Sequence, residues 1–64
     1  MEEVKFNIRM LAAYMKMSTE ELAEKAGINV THLRNVSAGR VKITADDIVK
    51  LSAFTGIPVT NIEH

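Results

Sequence analysis

The 64-residue sequence predicts an all-α domain, a compact bundle of five short helices without strands. Three observations carry this reading. Apolar residues recur three and four apart in successive stretches, each opened by a residue able to cap a helix. Between Thr19 and Val36 the spacing is that of two short helices crossing over a tight turn. Connections of about 2 to 7 residues suit a compact helical domain.

Each element has its own justification. Helix 1 is expected from about Glu3 to Lys16, where Val4, Ile8, Leu11 and Met15 form one apolar stripe. Ser18 opens helix 2 as an N-cap, and Glu21 three residues on completes a capping box. Glu20 and Glu21 sit where the helix dipole favours negative charge. Leu22 and Ala23 face the core, and Ala23 is small enough for the next helix to lie across it. Gly27 closes helix 2, since the turn needs a residue tolerant of positive φ. Asn29 caps helix 3, Val30 to Ser37, which is held by the narrow edge Leu33 and Val36 and stopped by Gly39.

In the linker Arg40 to Ile43, charged and β-branched residues alternate, so Val41 and Ile43 are expected to turn inward. Thr44 with Asp47 opens helix 4, whose Ile48, Leu51 and Phe54 face the core before Gly56 ends it. Pro58 forbids direct continuation, and Val59 to Ile62 makes a fifth, closing turn.

Composition narrows the function. The chain is one small domain, residues 1–64, and has no cysteine, which removes disulfides, thiolate zinc sites and a cysteine nucleophile. No apolar run approaches the ~20 residues of a membrane span and no signal pattern opens the chain, so a reducing cytoplasm is expected. Formal net charge is zero, yet it is unevenly placed. Lys25, Arg34, Arg40 and Lys42 fall between Lys25 and Ala45, where there is no acid; the carboxylates of Glu2, Glu3, Glu20, Glu21, Glu24, Asp46, Asp47 and Glu63 all lie outside. That gap coincides with the helix whose outer face is spare.

An enzyme is not expected. His32 and His64 are too far apart in sequence to make a metal site alone. Asp46 and Asp47 diverge by about 100° on a helix and are explained by capping. No glycine-rich phosphate loop, nucleophile elbow or triad-like set is present, and no metal, cofactor or small-molecule ligand is expected.

With these residues in place, the chain resembles the Cro and repressor family of phage and bacterial regulators, the XRE-type helix-turn-helix domains. The resemblance is carried by Ile8-Arg9-x-Leu11, by Ser18 through Ile28, by Leu33, Val36 and Gly39, and by Ile48, Leu51, Gly56-Ile57 and Ile62. It implies a five-helix fold of the lambda-repressor-like type in a bacterial or phage-infected cell. It also implies binding of duplex DNA, usually as a twofold homodimer, to regulate transcription. The sequence departs from the family at Ala12, often basic, at Ala38, often polar, and at Val30, Thr31 and His32, where polar amides are common.

A helical wheel with Leu33 and Val36 inward turns Thr31, Arg34 and Asn35 outward, with Val30 at the exposed tip. The amide of Asn35 suits adenine N6 and N7, and Val30 and Thr31 can meet thymine methyl groups. Arg34 suits either a guanine or a phosphate. Arg40 and Lys42 are phosphate clamps, and His32 either reaches phosphate or is a half-buried structural residue. From the resemblance, Thr19 is a further phosphate contact, and dimer contacts are expected at Phe54, Ile57, Val59 and Ile62. Phe6, Met10 and Tyr14 recur every four residues beside the main stripe of helix 1 and either cover the core rim or meet a partner protein. The alternative function is therefore a protein-interaction module of helix-turn-helix shape, antitoxin-like or regulator-binding, with weak or no DNA binding.

Overall fold

The computed structural model describes residues 5–63. These contain four α-helices, α1 (Ile8–Tyr14), α2 (Thr19–Ala26), α3 (Val30–Ser37) and α4 (Ala45–Thr55), followed by a single 3-10 turn at Val59–Asn61. The expected fifth helix is thus corrected to that one turn, because Pro58 lacks the N–H a longer helix would use and Ile62 has extended backbone.

The first helix also starts later than its apolar stripe suggests. Phe6 is extended and forms an isolated parallel bridge with Ile62. Its N–H donates to the Asn61 carbonyl at 2.7 Å, and its carbonyl accepts from the Glu63 N–H at 2.8 Å. Backbone groups committed to the C-terminal segment cannot join a helix, so α1 begins at Ile8, with Asn7 Oδ1 accepting from the Met10 N–H at 2.8 Å. The expected start at Glu3 and the stripe position Val4 lie outside the described residues.

Its end differs too. The helix stops at Tyr14, and Lys16 has a φ of 57°, the one described non-glycine residue in the left-handed region. The Met17 N–H then reaches back to the Ala12 carbonyl at 3.0 Å, which satisfies the helix end. No glycine stands there to signal this stop.

The remaining boundaries follow the sequence closely. Ser18 and Glu21 form a reciprocal capping box, as do Thr44 and Asp47. Asn29 caps α3 through His32 N–H at 3.0 Å. Gly27, with a φ of 77°, lets the Ile28 N–H bond the Ala23 carbonyl at 2.8 Å and turns the chain into α3.

One core unites all four helices. Leu11, Leu22, Leu33, Leu51 and Ile62 are fully buried, surrounded by Ile8, Ala12, Ala23, Ile28, Ile48 and Ile57. α2 packs against α1, α3 and α4 and so lies at the centre. Ala12 is a core position in this chain. Ile43 packs on the core as expected, whereas Val41 is 42 % exposed because the linker turns it out.

Two changes test this account. Leu33→Ala should cost ~2–5 kcal/mol in urea unfolding, because the cavity opens where α3 is anchored. Lys16→Gly should raise stability by up to ~1 kcal/mol, since glycine occupies the left-handed region without the side-chain penalty.

Candidate nucleic-acid interface

α3 is held from one side and open on the other. Leu33 is fully buried, and Val30 and Val36 pack partly against the core. Val30 is therefore corrected from an exposed tip residue to a half-buried one; the chain enters α3 so close to α2 that its side chain covers the core edge. Thr31 and Arg34 are exposed and Asn35 is half-buried. Together with Ala38 and Arg40 they line a shallow cleft along the outer face. Among the described residues neither Thr31 nor Asn35 spends its side chain on an intramolecular hydrogen bond.

A second, wider cleft adjoins the C-terminal end of α3. Arg9, Arg40 and Lys42 line it, together with Asn7, Ser37 and Glu63. None of the three cations has an ion-pair partner among the described residues. Arg9 was not among the expected phosphate contacts. It is 31 residues from Arg40 in sequence, and only the packing of α1 beside the end of α3 brings the two to one cleft. Thr19, another expected phosphate residue, is half-buried at the first position of α2.

The structure settles which side His32 faces. Its Nε2 lies 2.8 Å from Asp47 Oδ2, with the carboxylate buried and the ring partly so. The same oxygen accepts from the Thr44 N–H at 3.1 Å, closing the cap of α4. His32 thus ties α3 to the start of α4, and the ring N–H it would offer a phosphate is spent on that carboxylate. Asp47 does more than cap, which its position beside Asp46 in sequence did not reveal.

Burial alone would push the Asp47 carboxyl up. Hydrogen bonds from the His32 ring and from the backbone and side chain of Thr44, helped by the attraction of His32, outweigh it and hold the carboxyl below its ordinary value of 3.8.

The acid-free stretch of sequence is not an acid-free surface. Glu20, from the first turn of α2, places Oε2 3.5 Å from Arg34 Nε. No local pattern signals this pair; the crossing of α2 and α3 creates it.

The expected dimer residues divide. Ile57 is 7 % exposed and Ile62 not at all, so both are corrected from dimer contacts to core residues: the chain's own packing consumes their side chains. Phe54 is half-buried against the same core, and Val59 is exposed. The aromatic stripe divides as well. Phe6 lies outside α1 and packs on the core rim, its ring meeting that of Tyr14 edge-on at 5.8 Å, while Met10 and Tyr14 are exposed.

The His32–Asp47 tie predicts an acid dependence. A carboxyl that is a stronger acid when folded contributes stability fully above its unfolded value and loses it as pH falls through the lower, folded one. Denaturation midpoints should fall as pH drops below about 4. Asp47→Asn should flatten part of that fall while costing ~1–3 kcal/mol at neutral pH.

A helix-turn-helix family model, HTH_3, matches residues 8–62, from the first residue of α1 to the bridge at Ile62. No curated protein and no solved structure matched the chain. No described helix is long and apolar enough to cross a membrane. The matched stretch takes in α2, the turn at Gly27 and α3. The chain belongs to the helix-turn-helix family of Cro/XRE type, a family of DNA-binding regulators.

Proposed function

We infer that this chain is a sequence-specific regulator of transcription, a Cro-like repressor that binds a palindromic operator as a homodimer. The observation that carries this reading is the state of α3. Its inner edge is secured by Leu33, Val36 and the His32–Asp47 bond, while Thr31, Arg34 and Asn35 face outward. Such a helix fits the DNA major groove with those side chains against base edges.

Residue roles follow from chemistry. Asn35 carries both an amide donor and an acceptor and pairs with adenine; Thr31 meets a thymine methyl or donates a hydrogen bond. Val30 contributes only the edge of its half-buried side chain. Arg9, Arg40 and Lys42 hold phosphates and fix the register of α3 without reading sequence. Thr19 adds a phosphate contact from the start of α2. With zero net charge, non-specific affinity is modest and the salt dependence shallow. Two copies place their α3 helices about one helical turn of DNA apart, roughly 34 Å. Phe54 and Val59 are the surface residues left for the dimer contact.

A protein-interaction module remains the second reading, favoured by one observation: Met10 and Tyr14 are exposed on α1, 41 % and 59 %.

Selection of the protein on a random duplex pool, read by sequencing, tests the two. Paired half-sites one turn apart are expected; no enrichment with folded protein would favour the protein partner. Once an operator is in hand, Asn35→Ala should relax one position at a cost of ~1–3 kcal/mol. Lys42→Ala should weaken all duplexes alike and lower the salt slope by about one. If both variants bound as the parent does, α3 would not be the reading helix.

A further inference from the structure

The fold carries a carboxylate onto the reading face. Glu20 Oε2 lies 3.5 Å from Arg34 Nε, with the two side chains 50 % and 63 % exposed. Capping does not require it. Glu21 already completes the box with Ser18 and supplies negative charge to the start of α2. Fold stability does not require it either, because an exposed ion pair of this kind contributes little. What the pair does affect is where the Arg34 guanidinium points.

The contact is made at the Nε edge. A guanidinium carries five N–H donors in a rigid plane, so a carboxylate at Nε leaves donors of the two terminal amino groups unused. Those two groups form the fork that fits guanine O6 and N7 together. An arginine without such a restraint is free to swing to phosphates, the dominant source of attraction beside DNA. A carboxylate in the same place repels them.

We propose that Glu20 is a specificity-determining residue: it buttresses Arg34 across the α2–α3 crossing so that Arg34 reads a guanine in the major groove instead of clamping a phosphate. This rests on the reading of α3 as the DNA-contacting helix. Two opposed effects follow from one side chain. Binding to arbitrary duplex weakens, because a negative charge faces the backbone and Arg34 is withheld from it. Discrimination for guanine strengthens, because the fork is held before the base arrives and less freedom is lost on contact.

The test compares the full chain with its Glu20→Gln, Arg34→Ala and Lys42→Ala variants. Each is titrated by fluorescence anisotropy on the selected duplex, on that duplex with each guanine replaced in turn, and on a scrambled duplex, over a range of salt. Glu20→Gln should bind the scrambled duplex several-fold more tightly, with a salt slope steeper by about one. It should also lose about two- to fivefold in discrimination at one guanine, the same guanine whose replacement Arg34→Ala no longer senses. Thermal melts of Glu20→Gln should stay within a few degrees of the parent, the cost of losing one charge at a helix start, which separates this effect from misfolding. If Glu20→Gln keeps the parent's slope and discrimination, or if no guanine depends on Arg34, the buttress is refuted. A lowered slope for Lys42→Ala in that same experiment would leave the DNA reading standing. Should the parent select no duplex, the DNA reading falls and takes the buttress with it.

Discussion

An eight-residue helix has almost no stability of its own in water, so α3 exists because of what clamps its inner edge. Leu33 provides the anchor, wholly enclosed by the side chains of the other helices. The clamp has to be narrow, since every residue spent on the core is one withheld from the outer face. Ala23, also fully buried, keeps α2 thin where the two helices pack, and Gly27 makes the tight turn between them possible. The geometry of the candidate interface depends on this economy.

Apolar packing along so narrow an edge resists separation better than rotation about the helix axis. The His32–Asp47 bond supplies what packing lacks. It is directional, it is short, and its acceptor is buried and already fixed by the cap of α4. The orientation of α3 is therefore referred to the start of α4 as well as to α2. A buried carboxylate is costly unless fully bonded, and here its partners lie on two different elements, which makes it a point of registry between them.

Charge shows the same dependence on packing. The chain is neutral, and nothing in its total suggests a surface for a polyanion. Arg9 from α1 joins Arg40 and Lys42 from the linker at one cleft, while Lys50 is paired with Asp46 and Arg34 with Glu20. Arg9, Arg40 and Lys42 have no ion-pair partner among the described residues, and their concentration at the end of α3 matters more to a phosphate backbone than the net sum.

Local chemistry by itself determined where α2, α3 and α4 start and stop. Ser18, Asn29 and Thr44 cap through their own backbone neighbours, and Gly27, Gly39 and Gly56 all adopt positive φ after a helix, so each boundary is written within a few residues. The period of the apolar residues likewise marked Leu11, Leu22, Leu33 and Leu51 as core, and the outward face of α3 followed from that edge. Boundaries set by distant partners were not legible. The late start of α1 depends on Phe6 pairing with the bridge at Ile62, and its early end leaves Lys16 in a conformation that lysine does not advertise. Only the tertiary structure decided that Ile57 and Ile62 belong to the core, that His32 turns to Asp47, and that Glu20 meets Arg34. Caps and turns are contacts between residues a few places apart, so sequence encodes them directly; these other contacts join residues through the packing of whole helices, and no local pattern records which faces will meet.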